Sequence, residues 1–437
     1  MQVVPWLLLL AAAVRGLAFL RAVDAPTTTG LCNEPEALHA GYINGLFYTF
    51  YETRAQIRAP SDVPVVLWLS GGPGCSGMIA MLFENGPCSV GEDSAGTATL
   101  NKYSWTNAAH MIYIDQPRGA GYSPAKNAHA DWSESNAVDD LVTFLQGFFQ
   151  NYPDYGSNDL YIFGESYAGH YVPDLAHAIV SSTDWNTRDL RGRLKGVGIG
   201  NGLVSERAIA DTIGTFAKAH GTASDIVKSR IIECEDAVDA CQSVEYGGIQ
   251  DCSRTGLCDT LVGDVIADAH TQKRNHYDLR AACHPDTFQL CYKFTPLYTF
   301  LNSATTMHRL GTEGRPWAPC NQDIFAHHMN ADWFEESEYK VAYLLDHGLR
   351  VLIYAGDQDL ICNWMAQDKW TQDMQWSNQT QFQTQPMRPL LMQGQAVGEQ
   401  RSFGGLTMLR VYDAGHMVPF DQPQVALAMF QAFVQRH

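Results

Sequence analysis

The stretch Leu160-Tyr-Ile-Phe-Gly-Glu-Ser-Tyr-Ala-Gly169 decides how the rest of this sequence is interpreted. Its apolar start, Leu160–Phe163, predicts a buried strand, and the residues that follow predict a helix over Tyr167–Val180. Ser166 lies between them, in a variant of the G-x-S-x-G pattern whose second glycine comes one place later. A serine at a sharp strand-to-helix turn exposes its hydroxyl, and the helix N-terminus beneath it favours negative charge. A plain helix cap is the alternative for such a motif on its own, but this context predicts a nucleophile.

Short apolar runs alternate with helical patterns on both sides of this motif. The predicted strands are Val65–Leu69, Met111–Ile114, Leu160–Phe163, Leu194–Ile199, Leu349–Tyr354 and Met408–Val411. The predicted helices are Gly77–Phe83, Ser133–Phe149, Tyr167–Val180, Asn363–Met374 and Gln422–Val434. Asn44-Gly45, between two apolar runs, predicts a hairpin, and Pro386–Gly405 is predicted to be a long surface loop. This order predicts an α/β fold with a mostly parallel central sheet and helices on both faces.

The alternation is interrupted once. It stops after Gly200-Asn-Gly-Leu203 and resumes near Tyr339, and seven of the eleven cysteines lie in the interval. We therefore expect a core formed by residues 32–203 and 321–437. Residues 204–320 are expected to form a disulfide-rich inserted lid.

Composition and charge exclude several classes of protein. The 437 residues are 46% hydrophobic and 17% charged, which is typical of a globular protein and not of a disordered one. The net charge of −18 argues against a nucleic-acid partner, because binding to phosphates requires basic surface. No apolar run long enough to span a membrane follows the first 20 residues, so we expect no membrane anchor. The sequence leaves open whether the chain forms a homodimer.

The N-terminal residues predict the cellular compartment. An apolar run, Val3–Val14, is followed by small residues, which is typical of a signal peptide. We expect residues 1–18 to be removed by cleavage after Ala18, with cleavage after Ala22 or Ala25 as alternatives. The chain is then expected to enter the secretory pathway and to be secreted or vacuolar or lysosomal.

Two other features agree with this compartment. Asn378-Gln-Thr380 is a glycosylation sequon, so a glycan is predicted on Asn378. The eleven cysteines are expected to form disulfides in the secretory pathway, and their odd number leaves one thiol. Zinc binding is the competing interpretation, but the sequence has no Cys-x2-Cys pair.

A nucleophilic serine requires a base, and the base requires an acid that orients it. His416 follows the strand pattern Met408–Tyr412, and Asp357 and Asp359 stand in the acidic loop after Arg350-Val-Leu-Ile-Tyr-Ala-Gly356. Each is at the carboxyl end of a predicted strand, where sites in such sheets assemble. The pattern alone does not choose between the two aspartates.

Glycines follow another predicted strand. Ser70-Gly-Gly-Pro-Gly-Cys75 comes directly after Val65–Leu69. Backbone N–H groups at adjacent glycines can approach a ligand closely, and with the N–H of Tyr167 they predict an oxyanion hole. A phosphate-binding loop is the rival interpretation, but the Lys-Ser/Thr ending of that motif is missing. A plain turn is the alternative for this motif on its own.

Taken together, a set of motifs resembles the serine carboxypeptidases of the carboxypeptidase Y family. They occur in the family's order from about residue 38 to the end. The motifs are Trp68-Leu-Ser-Gly-Gly-Pro-Gly-Cys75, Phe83-Glu-Asn-Gly-Pro87, Asp115-Gln-Pro117, Gly121-Tyr-Ser123, Gly164-Glu-Ser-Tyr-Ala-Gly-His-Tyr-Val-Pro173, Ile199-Gly-Asn-Gly-Leu203, Tyr354-Ala-Gly-Asp-Gln-Asp-Leu-Ile-Cys-Asn-Trp364 and Gly415-His-Met-Val-Pro-Phe-Asp421. The resemblance implies the α/β-hydrolase fold and an enzyme that hydrolyses the C-terminal bond of peptides and proteins. It implies neither a metal nor an organic cofactor, and with the glutamates described below it implies an acidic pH optimum.

The resemblance also implies roles for individual residues. Ser166 would be the nucleophile, His416 the base and Asp359 the orienting acid. The backbone N–H groups of Gly72 and Tyr167 would form the oxyanion hole. Each of these residues stands in a motif quoted above.

Four more residues align with the family's binding site for the substrate's terminal carboxylate: Trp68, Ser70, Glu84 and Glu165. The family usually has Asn where this chain has Ser70. A serine hydroxyl still donates a hydrogen bond but has a shorter reach.

Substrate pockets and disulfides follow from the same resemblance. The residues that align with the S1 wall are Tyr167, Trp333, Ile361 and Cys362, and those that align with the S1′ side are Phe83, Tyr292 and Met417. Cys283 and Cys291 are close enough in sequence for a local bridge. The family's other pairs align with Cys234–Cys258, Cys241–Cys252 and Cys75–Cys320. Cys362 aligns with the family's unpaired thiol, which leaves Cys32 to pair with Cys88.

The sequence is also compatible with two other functions. One is an acyltransferase on the same fold, which hands the acyl group to an alcohol instead of water. The other is a protective or binding partner whose catalysis is incidental.

Overall fold

The computed structural model describes residues 30–55, 62–91, 95–125, 132–184, 187–222, 224–225, 227–230, 232–233, 256–283, 290–333 and 335–435. The predicted signal peptide lies outside these ranges. The predicted pairs Cys234–Cys258 and Cys241–Cys252 also involve residues outside them.

The described residues form a central sheet of ten strands. The strands of the described residues are β1 Leu38–Ile43, β2 Leu46–Tyr51, β3 Val65–Leu69, β4 Cys88–Ser89, β5 Thr99–Leu100, β6 His110–Ile114, β7 Leu160–Glu165, β8 Leu194–Gly200, β9 Arg274–Asn275, β10 Asp278–Ala282, β11 Arg350–Gly356, β12 Arg388–Met392, β13 Gln395–Phe403 and β14 Leu406–Val411. The central sheet has the order β1-β2-β6-β3-β7-β8-β11-β14-β13-β12. Neighbouring strands from β6 to β14 in this order are parallel, and an antiparallel pair extends the sheet at each edge. The predicted α/β fold with a mostly parallel sheet is confirmed.

Helices connect the strands. They are α1 Gly77–Ile79, α2 Glu134–Asn151, α3 Ala168–Ser181, α4 Arg188–Arg193, α5 Glu206–Ala219, α6 Gly256–Thr271, α7 Thr295–Leu301, α8 Ala304–Leu310, α9 Gln322–Ala331, α10 Glu338–Asp346, α11 Trp364–Asp373, α12 Gln379–Gln383, α13 Val418–Asp421 and α14 Pro423–Val434. Short 3₁₀ turns occupy Trp105–Asn107 and Pro153–Tyr155, and a π-helix occupies Ala80–Glu84. Among the described helices, none is long and apolar enough to cross a membrane.

Both faces of the sheet are buried, which explains why its strands are continuously apolar. In β3, Val65, Leu67 and Leu69 pack into one hydrophobic cluster with residues of α2 and α3. Val66 and Trp68 pack into a second cluster with residues of the π-helix and α14. Successive side chains of a strand point to opposite faces, so every position of β3 needs an apolar residue.

The predicted strands, and the predicted helices other than Gly77–Phe83, are found within two residues of their expected bounds. Two predictions need correction. The helix predicted over Gly77–Phe83 is a short α-helix that continues as the π-helix. The loop predicted over Pro386–Gly405 was wrong, because this segment is the β12–β13 hairpin at the sheet edge. Its turn contains Gln393 and Gly394, with positive φ angles of 51° and 82°.

The chain leaves the sheet after β8 and returns at β11. The segment between them contains helices α5 to α10 and the small antiparallel hairpin of β9 and β10. That residues 204–320 act as a lid stays a prediction.

Candidate active site

Ser166 stands at the turn between β7 and α3, in a backbone conformation that few residues adopt. Its φ angle is 64°, in the left-handed region. The turn is held by hydrogen bonds on both sides of the residue. Ser166 N donates to the carbonyl of Gly200 at 3.1 Å, and its own carbonyl accepts from Gly169 N and Leu203 N, both at 2.8 Å. Strain of this kind is typical of a nucleophile at a strand-to-helix elbow.

The glycine loop after β3 lies against this turn. A Cβ atom at Gly71 would come within 2.6 Å of both Ser166 Cβ and Tyr167 N, so only glycine permits this approach. The neighbouring Gly72 has a φ of 112°. The loop is closed by a bond from Cys75 N to the Gly71 carbonyl and is tied by the Cys75–Cys320 disulfide to the start of α9.

His416 and Asp359 form a buried pair. His416 Nδ1 lies 2.7 Å from Asp359 Oδ2, and the exposed fractions of the two residues are 3% and 0%. Asp359 also accepts hydrogen bonds from Asn201 Nδ2 at 2.8 Å and from the backbone N of Ile361 at 3.2 Å. The carboxylate is therefore held in one orientation towards the imidazole, and the other ring nitrogen is left for a substrate or nucleophile.

The second aspartate of the same loop has different partners. Asp357 accepts a hydrogen bond from Asp413 N at 3.0 Å and another from Gln358 Nε2 at 3.1 Å. It also lies 3.5 Å from an Arg410 guanidinium nitrogen. These contacts account for both of its oxygens.

Ser166 and His416 line one pocket together with Gly72. The wall of this pocket also includes five further residues that the resemblance assigned to substrate binding: Ser70, Glu84, Glu165, Tyr292 and Met417. The pocket lies at the carboxyl ends of the parallel strands, as the sequence predicted for a site in this sheet.

Glu84 and Glu165 form a buried carboxyl pair in the pocket wall. Burial raises the pKa of Glu84 to about 7, and a hydrogen bond from Glu165 partly opposes that rise. Burial, followed by the charge of Glu84, holds the pKa of Glu165 well above its usual range. Two adjacent carboxylates cannot both be ionised without strong repulsion, so the pair retains a proton in mild acid. Neither Oε2 atom has a hydrogen-bond partner among the described residues.

Ser70 follows β3 and is part of the pocket wall, and Trp68 lies just before it in that strand. The Trp68 indole Nε1 donates to the Ser70 hydroxyl oxygen at 3.3 Å. That bond uses the hydroxyl as an acceptor and leaves its proton for another partner. Trp68 itself is fully buried and, in the described part of the chain, is not part of the pocket lining.

The other predicted pocket residues are apolar and close to the site. The Tyr167 ring stacks on the Trp333 ring with centroids 5.6 Å apart, and Ile361 and Cys362 belong to the same hydrophobic cluster. On the other side, the Phe83 ring stacks on that of Phe420 at 4.4 Å and lies 6.1 Å from that of Tyr292. Of the described residues that line the Ser166 pocket, none is Phe83, Tyr167, Trp333, Ile361 or Cys362.

Three disulfides join described residues: Cys32–Cys88, Cys75–Cys320 and Cys283–Cys291. Cys362 is a free, buried thiol whose pKa is raised well above its usual range, first by burial and then by the charge of Asp359. Its Sγ lies within 4.8 Å of a carboxylate oxygen of Asp359 and of a ring nitrogen of His416.

Two contacts of the His416–Asp359 pair were not predicted from the sequence. Asn201 follows β8 at the carboxyl edge of the sheet, and that position was the signal that could have identified it. Tyr277 accepts a hydrogen bond from His416 N at 2.7 Å through its backbone carbonyl, a contact that no side-chain pattern indicates.

The relation to known proteins agrees with this geometry. A family model described as serine carboxypeptidase matches residues 32–436. Serine carboxypeptidase-like 48 of Arabidopsis thaliana is 35% identical over 409 residues, which cover 91% of this chain and 78% of that protein. The vacuolar serine-type carboxypeptidase ATG42 of Saccharomyces cerevisiae is 34% identical over 434 residues, or 95% of this chain and 82% of that protein.

Among solved structures, a prohormone-processing carboxypeptidase of Saccharomyces cerevisiae, Kex1Δp, shares the fold with a TM-score of 0.77. The match is 21% identical in sequence and covers 95% of both chains. With the family model covering nearly all the described residues, this chain belongs to the serine carboxypeptidase family and is a serine-type carboxypeptidase.

Proposed function

We propose that this enzyme removes the C-terminal residue of peptides and proteins in the secretory pathway, with Ser166, His416 and Asp359 as its catalytic triad. The observation that carries the proposal is the pocket in which Ser166 and His416 meet the Glu84–Glu165 pair. A nucleophile beside a protonated carboxyl pair suits an acyl-transfer reaction on a substrate that ends in a carboxylate.

The first half of the reaction breaks the last peptide bond. Ser166 Oγ attacks the carbonyl carbon, and His416 accepts the hydroxyl proton. The oxyanion that forms is stabilised by the backbone N–H groups of Gly72 and Tyr167, a role that the close approach of the glycine loop to the Ser166 turn supports. His416 then gives the proton to the leaving nitrogen, which departs as a free amino acid.

The second half restores the enzyme. Water gives a proton to His416 and attacks the carbonyl of the Ser166 ester. His416 then returns that proton to Ser166 Oγ as the ester bond breaks, and the shortened peptide leaves with a new carboxylate. Asp359 holds the imidazole in the productive orientation throughout, because its Oδ2 contacts Nδ1 of the ring. This path uses neither a metal nor an organic cofactor.

Recognition of the terminal carboxylate is assigned to Glu84, Glu165, Ser70 and Trp68. A protonated glutamic acid and a serine hydroxyl both donate hydrogen bonds to a carboxylate. Trp68 contributes indirectly, because its indole N–H fixes the Ser70 oxygen. This arrangement favours binding at acidic pH, and we propose an acidic optimum for peptides.

The apolar residues near the site are assigned to the two side chains that flank the scissile bond. Tyr167, Trp333, Ile361 and Cys362 are proposed for the S1 side, on which the stacked rings of Tyr167 and Trp333 suit a bulky apolar side chain. Phe83, Tyr292 and Met417 are proposed for the S1′ side.

The test is a timed digest of a defined peptide, followed by mass spectrometry, with the C-terminally amidated peptide as a matched control. Sequential loss of residues from the free C-terminus, with slower loss from the amide, is the expected result. An acyltransferase would instead transfer the acyl group of an ester donor to an added alcohol and leave the peptide intact. A binding partner with incidental catalysis would do neither and would co-purify with another enzyme.

A further inference from the structure

A small hairpin from the segment between β8 and β11 contacts two loops of the proposed triad. We call them the acid loop, which contains Asp359, and the base loop, which contains His416. The hairpin consists of β9 and β10, Arg274–Ala282, and it ends at the Cys283–Cys291 disulfide. Neither strand belongs to the central sheet. The carbonyl of Asn275's side chain accepts from Tyr277 N at 2.9 Å and so orders the turn.

Backbone bonds join this hairpin to both loops. On the acid loop, the residues on either side of Asp359 are held: Leu360 N donates to the His276 carbonyl, and the Gln358 carbonyl accepts from Leu279 N, both at 3.0 Å. On the base loop, His416 N donates to the Tyr277 carbonyl at 2.7 Å. One short hairpin therefore holds the backbones of both members of the His416–Asp359 pair.

Arg280 adds side-chain contacts at both ends of the base loop. Its guanidinium forms a two-pronged contact with Asp278, at 2.9 and 2.7 Å. The same group donates to the carbonyl of Asp413, which precedes His416, and lies 3.3 Å from Asp421 Oδ2, which follows it. Asp421 in turn accepts a hydrogen bond from Gly415 N at 2.6 Å. Arg280 therefore joins the two ends of the base loop, on either side of His416, from outside the pocket.

We propose that the Arg274–Ala282 hairpin is a positioning device for the triad and that Arg280 is its principal positioning residue. The proposal rests on the triad of the proposed function but adds a role for a segment outside the central sheet. A planar guanidinium can satisfy Asp278, Asp421 and the Asp413 carbonyl at once, whereas an ammonium on a flexible chain cannot. Without these contacts, His416 is expected to shift relative to Asp359 and Ser166.

Arg280→Met tests the proposal, with Arg274→Lys as the matched control. Arg274 is on the same hairpin and also donates to carbonyls, those of Leu279 and His220, but it has no bond to either catalytic loop among the described contacts. We expect kcat of Arg280→Met to fall by about 10- to 100-fold, because small displacements of catalytic groups have effects of that size. KM should change little, since Arg280 does not line the described pocket. Arg274→Lys should keep its activity.

Two further readouts separate positioning from loss of folding. Low concentrations of guanidinium should restore part of the activity of Arg280→Ala, which a merely unfolded variant would not show. Asp421→Asn should lower kcat in the same way, and the double variant with Arg280→Met should lose much less than the sum of the two effects.

The rate at which an organophosphonate labels Ser166 tests the positioning without a peptide. Wild type that is not labelled at Ser166 would defeat the proposed triad. Wild type that is labelled, with Arg280→Met labelled equally fast, would defeat the positioning role alone. An equal loss in Arg274→Lys would overturn the principal role of Arg280, because the effect would then belong to the stability of the whole hairpin.

Discussion

Asn201 donates a hydrogen bond from its side chain to Asp359 at 2.8 Å, on the same carboxylate oxygen that contacts His416. Asn201 is held in turn, because its own Oδ1 accepts from Gly356 N at 3.1 Å. The residue therefore links β8 to the start of the acid loop. Its φ angle of 39° is unusual for a residue other than glycine.

The first prediction is that Asn201→Ala lowers kcat by about 10- to 100-fold, the size expected when a hydrogen bond to a charged group is lost. KM for peptides should stay close to that of wild type. Asn158→Ala is the control, since Asn158 is equally buried but donates to the Val63 carbonyl, outside the described pocket. Steady-state kinetics on both folded variants decides the matter, and a kcat for Asn201→Ala within twofold of wild type would refute the orienting role.

The second prediction concerns pH. The pKa of Glu84 is raised to about 7 and that of Glu165 well above its usual range, so the pair is protonated in acid and Glu84 begins to lose its proton as the pH passes about 7. We therefore expect the pair to donate to the substrate carboxylate below that pH, and KM for a peptide should rise above it. An amidated peptide, which lacks the carboxylate, should show no such rise.

Glu165→Gln provides the matched variant for this prediction, because its amide donates at every pH. KM against pH should be flatter in the variant than in wild type. The same pKa shift should make wild type lose conformational stability as the pH rises from about 4.5 to about 7, because the folded state binds the protons more tightly. If KM of the variant rises as steeply as that of wild type, the carboxyl pair does not cause the effect.

The third prediction follows from Ser70. A longer amide at this position would reach further towards the terminal carboxylate, so Ser70→Asn should lower KM for peptides by about 2- to 10-fold, the range of one added hydrogen bond. Ser70→Ala should raise it, because the hydroxyl donor is lost. Kinetics with the free and amidated peptides should show both effects on the free peptide alone. Equal effects on the amidated peptide would mean that Ser70 acts through the pocket shape.

Much of the fold was predictable from the sequence, and the reasons are local. The apolar run of Val65–Leu69 and the helical spacing after Ser166 depend on neighbouring residues, so periodicity indicated both. The β12–β13 hairpin was missed because strands at a sheet edge have few buried positions: β12 has no fully buried residue and β13 has two. The π-helix at Ala80–Glu84 was missed because its spacing differs little from that of an α-helix over one turn.

The site was predictable in its chemistry but not in its contacts. The pattern alone left Asp357 and Asp359 equivalent, and the contacts that separate them come from Asn201 and Asp413, distant in sequence from that loop. The contacts of the hairpin that contains Tyr277 and Arg280 could not be predicted from the sequence for the same reason. Backbone hydrogen bonds between distant segments do not require particular side chains, so the sequence does not indicate them.

The fourth prediction concerns the free thiol of Cys362. Burial raises its pKa, so reagents that need a thiolate, such as iodoacetamide, should react slowly. A mercurial should titrate one thiol in the native enzyme and inhibit peptide hydrolysis, because the sulfur lies close to Asp359 and His416. Cys362→Ser should resist the mercurial. Full inhibition of that variant, or mapping of Cys362 in a disulfide, would contradict the assignment.

Ser166 is the proposed nucleophile of this carboxypeptidase, and labelling by an organophosphonate probes that role. The enzyme should be labelled until peptide hydrolysis stops and then mapped by mass spectrometry. We predict one adduct per active chain, on Ser166, and no labelling of Ser166→Ala, whose kcat should be lower by about 10⁴-fold or more. An adduct on another serine, with hydrolysis retained in Ser166→Ala, would contradict it.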